Sequence, residues 1–129
     1  DDAELQSVSN EFPSAWKTSG LVRAMVEIEL AFDRLKRIEK AGWTVPDDHS
    51  DLVPAAEAGL LADLLRNLQD DERCRAKPAD FLDQMLASAR EAQRLEQLLV
   101  DGDLDSTVKS GLLAKIHQQC RDCHTQYRD

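Results

Sequence analysis

DLDSTVKSGLLAKIHQQCRDCHTQY, residues 103–127, is the stretch that decides the fold. Asp103 or Asp105 can cap a helix, and Val108, Leu112, Ile116, Cys120, Cys123 and Tyr127 then recur every three or four residues, the spacing of one helical face. The last turns of that helix carry Cys120-Arg121-Asp122-Cys123-His124. Two thiols one turn apart can form thioethers with the two vinyl groups of a haem and leave the next imidazole under the iron. Covalent haem is therefore the leading expectation for these five residues.

Two rival chemistries use the same C-x-x-C spacing. A structural zinc site wants four ligands, normally as two spaced pairs, and only Cys74, His49 and His117 remain as further candidates, with no second pair among them. A thioredoxin-like site wants its cysteines between a strand and a helix, whereas the residues before Cys120 read as one continuous helix.

Working outward, three more segments have helical spacing and none alternates like a strand. Leu21, Met25, Ile28, Phe32 and Leu35 form a heptad stripe that Thr18 or Ser19 can start and Gly42 can end. A second segment runs from a cap near Ser50 through Val53, Ala56, Leu60, Leu61, Leu64, Leu65 and Leu68, tolerates Pro54 in its first turn, and ends at Asp70-Asp71. A third starts near Pro78, carries Phe81, Leu82, Met85, Ala89, Ala92, Leu95 and Leu99, and stops at Asp101-Gly102-Asp103. Four such helices, with a short link between the third and fourth and longer ones around Trp43 to His49 and Asp70 to Lys77, predict an all-α, antiparallel up-down-up-down four-helix bundle with covalent haem near one end. Residues 1–17 read as an N-terminal extension that Pro13 separates from the haem domain at 18–129.

A chain of 129 residues is long enough to bury a core of its own, and with only six aromatic residues that core would gain from the apolar area of a haem. The formal charge of −9 argues against nucleic acid or an anionic membrane and in favour of a redox partner with a basic docking surface. No run is long enough to span a membrane. The start Asp1-Asp2-Ala3-Glu4 lacks the basic and apolar parts of a signal peptide, so the expectation is a signal already removed or a domain of a longer chain. Haem is attached to cysteine on the oxidising, exported side of bacterial membranes, which points to the periplasm. Cys74, in Asp70-Asp71-Glu72-Arg73-Cys74-Arg75, reads as a loop cysteine without a role, or as one that pairs with another chain.

Gly102-Asp103-Leu104-Asp105, followed by a helix that ends Cys120-Arg121-Asp122-Cys123-His124-Thr125-Gln126-Tyr127-Arg128, resembles the last helix of the class II c-type cytochromes, the cytochrome c′ group. The resemblance covers about residues 18–129, by helix order outside the last helix and by motif within it. It implies one haem c anchored by Cys120 and Cys123, with His124 as the proximal ligand, Arg128 beside the proximal face, and dimers through the first two helices. It also puts the distal position on the first helix, about four turns before its end. Counting back from Lys40-Ala41-Gly42 lands on Met25 or Val26, because that terminus departs from the family pattern by one residue.

Function turns on that distal position. With Met25 on the iron, a Met/His pair gives a six-coordinate, low-spin haem of raised potential, suited to periplasmic electron transfer without substrate turnover. With Met25 only packed nearby, the resemblance implies a five-coordinate protein that binds NO or CO at a vacant distal site. His117 lies two turns, about 10 Å, from His124 on the same helix and so reads as a surface or haem-edge residue. His49 reads as solvated, and Trp16 and Trp43 as covers for a haem edge or as packing at the bundle ends. No Ser/His/Asp set, paired acid site or phosphate-binding glycine loop points to an enzyme.

Overall fold

The computed structural model describes residues 13–127, with side chains over 21–125. All the regular structure in that range is helical: α1 (Pro13–Lys40), α2 (Pro54–Asn67), a 3-10 turn (Leu68–Asp70), α3 (Glu72–Arg75), α4 (Ala79–Val100) and α5 (Ser106–Tyr127). The all-helical expectation holds. It missed α3, because four residues are too few to show a period.

Helix α1 takes in residues 13–17, expected to belong to the extension, so Thr18 and Ser19 lie inside the helix and not at its start. Ile28, Leu35 and Ile38 are buried along its inner face, with Met25 and Phe32 packed half-buried beside them. Its end is closed by two reversed bonds: Gly42 donates to the Glu39 carbonyl at 3.0 Å and Trp43 to the Ile38 carbonyl at 2.8 Å. Gly42 and Trp43 both have positive φ, 80° and 65°. That is costly for an indole-bearing residue. Burial of Trp43 against Ile38, both within the core, offsets the cost.

Ser50 does not start α2. A residue before proline is pushed out of the helical region, and Val53 has φ −85° and ψ 118°, so the helix begins at Pro54 with no side-chain cap. Leu61, Ala62 and Leu65 are buried, while Val53 and Leu60 of the expected stripe are exposed. Asp71, expected only to end this segment, begins the next one: its carboxylate accepts from the backbone N–H of Arg73 and Cys74, which caps α3.

Phe81, Met85, Ala89, Ala92 and Leu95 line the buried side of α4 as their spacing predicts. Of the two aspartates proposed as caps for α5, Asp105 does the capping, accepting from the N–H groups of Thr107 at 3.0 Å and Val108 at 3.2 Å. α2 packs against α1 and α4, and α5 packs against α4. Gly59 lets α2 approach closely, since a Cβ there would lie 2.6 Å from Glu96 Oε2. The Arg34–Glu57 ion pair ties α1 to α2, and Ser88 donates to Gln119 at 2.6 Å between α4 and α5. No helix among the described residues is long and apolar enough to cross a membrane.

Candidate functional site

The second half of α5 carries the site, on a helix that its Asp105 cap and its packing against α4 hold in place. At about 100° per residue, Cys120, Cys123 and His124 fall within an arc of about 100°. The two thiols turn inward, Cys120 half-buried and Cys123 only 5% exposed, while His124 is exposed. Burial pushes both thiols up, Cys120 to about 11, and each is penalised further or relieved by a neighbour: Cys123 raises Cys120, and Lys77 partly offsets the rise at Cys123. They are therefore neutral S–H groups near pH 7, unlike the activated thiolate of a thioredoxin-like nucleophile. Among the described residues no three His, Cys, Asp or Glu side chains are grouped to hold a metal ion.

Cys74 is not a loop cysteine. It sits on α3, fully buried at 0% exposure, and its thiol is pushed up to about 11 by burial, then by Asp71 and by Cys123. The core therefore holds a third buried thiol beyond the two of the motif. The signal was faint, because the charges around Cys74 face solvent while the cysteine itself turns inward.

Contacts between α1 and α5 set the level of the distal residue. The Phe32 and His117 rings lie 5.2 Å apart, and Glu39 bonds to Ser110, so residue numbers rise on one helix as they fall on the other. Met25 precedes Phe32 by seven residues and His124 follows His117 by seven. Seven residues is two turns, about 10.5 Å, on either helix. Two turns beyond that contact come half-buried Met25 on α1 and exposed His124 on α5. Val26, the alternative from the count-back, turns away to solvent at 46% exposure. Next to this level, a cleft of about 250 Å³ runs between the two helices, lined by Phe32, Lys36 and Glu39 on one side and Ser110, His117 and Arg121 on the other.

No family model, curated protein or solved structure matches this chain.

The remaining candidates divide clearly. Trp43 is buried and donates its indole N–H to Ser110 Oγ at 3.2 Å, at the opposite end of α5 from the motif, so it packs an end and covers no haem edge. His49, expected in solvent, is half-buried, with Nε2 3.1 Å from Arg37 Nη1. His117 is exposed beside Phe32, as a surface or edge residue would be. Arg128, residues 1–12 and the side chain of Trp16 lie outside the described residues. The donors present suit a haem: two adjacent thiols on one helix, an imidazole beside them, and a thioether on the facing helix, two turns from the Phe32–His117 contact.

Proposed function

We propose that this chain is a c-type cytochrome of the class II kind, its four long helices forming an antiparallel up-down-up-down bundle with one covalent haem c near the end of α5. The reading is supported above all by the Phe32–His117 contact between α1 and α5, from which two turns along each helix lead to Met25 and to His124. The C-x-x-C-H motif alone would leave the distal side undefined.

When bound, the haem supplies an iron that alternates between ferrous and ferric states and so carries one electron. Cys120 and Cys123 would hold the group through thioethers, and burial keeps both thiols protonated near pH 7. His124 offers an imidazole lone pair from α5. Met25 offers a thioether sulfur from α1, a soft sixth donor that raises the potential. Leu113 is buried and Phe32 half-buried beside it, an apolar floor to the cleft between the helices. No residue set for substrate turnover takes part, and the negative chain would exchange electrons with a partner of basic surface in the periplasm.

The visible spectrum of the reduced protein tests this function. Sharp low-spin bands and slow or absent CO uptake are expected. A broad high-spin spectrum with rapid CO binding would instead identify a five-coordinate NO/CO-binding protein, with Met25 as packing only.

A further inference from the structure

The cleft between α1 and α5 is walled by side chains that the haem reading leaves unused. Ser110, Leu113, Ala114, His117 and Arg121 recur along one face of α5, and Phe32, Lys36 and Glu39 meet them from α1. Ser110 and Ala114 are too short to fill the space, which leaves a hollow of about 250 Å³. Its floor is apolar: Leu113 is buried, and the half-buried Phe32 ring lies 5.2 Å from the His117 ring.

The polar groups of the cleft divide into two sets. Toward the end of α1 they engage one another: Lys36 donates to Glu39 at 2.9 Å, and Ser110 accepts from the Trp43 indole at 3.2 Å. At the other end stands exposed Arg121, one turn or about 6 Å beyond His117 on the same face of α5. Its guanidinium makes no ion pair among the described residues, and the acid beside it, Asp122, accepts from Gln118 at 2.8 Å instead. On a chain of net charge −9, the cleft thus sets one guanidinium without a counter-charge beside an aromatic floor.

We propose that this cleft binds a small aromatic monocarboxylate. The carboxylate meets the planar fork of Arg121, two N–H donors against two oxygens, and the ring fills the hollow over Ala114 against Phe32 and Leu113. His117, whose neutral imidazole always carries one N–H donor, borders both parts. A compact anion such as phosphate would use the guanidinium and leave the floor wet, whereas a neutral ring would use the floor alone. The site needs none of Met25, Cys120, Cys123 and His124, so it stands or falls apart from the haem reading.

The test titrates benzoate into the isotope-labelled full chain, kept reduced, and follows amide shifts by NMR. Acetate and benzyl alcohol serve as probes that carry only the charge or only the ring. Saturable benzoate binding with a Kd of about 1 mM is expected, with the largest shifts at Leu113, Ala114, His117 and Arg121, and about tenfold weaker binding of either partial probe. Arg121→Gln should weaken benzoate about tenfold. Lys115→Gln removes an equal charge from α5 where Lys115 pairs with Glu91, and should leave the affinity unchanged. Ala114 is exposed, so Ala114→Leu should keep a dispersed spectrum while its larger side chain blocks the hollow and abolishes binding. No saturation, equal affinity for a partial probe, equal losses in Arg121→Gln and Lys115→Gln, or shifts spread over the whole surface would overturn the proposal.

Discussion

The two ends of the α1–α5 pair are built from different kinds of chemistry. At the end where α1 finishes, polar groups satisfy one another around the cleft: the Trp43 indole donates to Ser110, and Glu39 takes bonds from Lys36 and Ser110. Toward the end where α5 finishes, α1 carries half-buried Met25 and α5 carries buried Cys123 and exposed His124, the side chains on which the proposed haem reading rests. One end is tied by hydrogen bonds, and the other holds the donors the proposal needs.

That contrast can be broken by substitutions at either end. The largest loss of stability is expected for Trp43→Ala, about 3–5 kcal/mol in chemical unfolding, because a buried indole leaves a cavity. Its haem spectrum should not change, since Ser110 stands about 20 Å along α5 from the motif. A shifted spectrum would show that the two ends are coupled. Met25→Ala should cost less, about 1–2 kcal/mol for a half-buried side chain, yet it should abolish the low-spin bands and lower the reduction potential while haem and fold remain. An unchanged spectrum would point to another sixth ligand.

Asp105→Ala removes the α5 cap and should cost about 1 kcal/mol with no spectral effect, measured by thermal unfolding beside the wild type. The smallest effect is expected at Glu39. Burial raises its pKa, but bonds from Lys36 and Ser110 outweigh that and hold it below 4.5. A carboxylate with a lowered folded-state pKa contributes stability that is full above its unfolded value and is lost as pH falls through the folded one. Glu39→Gln should therefore be slightly less stable than wild type at pH 7 and converge with it as pH falls below 4.5; a variant that matches wild type at pH 7 and differs only in acid would contradict the assignment.

The four long helices were legible because each repeats its apolar residues over many turns, a signal that survives errors at the ends. The ends themselves were less so. Pro54, and not Ser50, sets the start of α2, since the local backbone preference before proline overrides a good capping side chain. The motif Cys120, Cys123 and His124 was fully visible as a spacing. Cys74 was not, because its burial depends on how a four-residue helix capped by Asp71 packs against α4, and no periodic pattern encodes that. Met25 was reachable by a count uncertain by one residue; of the two candidates Val26 is 46% exposed and Met25 is half-buried.

The most direct measurement is the mass of the denatured chain after acid extraction of any free haem, with peptides mapped for the attachment points. The account predicts one haem retained through thioethers at Cys120 and Cys123 and none in the Cys120→Ala/Cys123→Ala variant. A wild-type chain of unmodified mass, from a host that attaches haem to exported proteins, would contradict it.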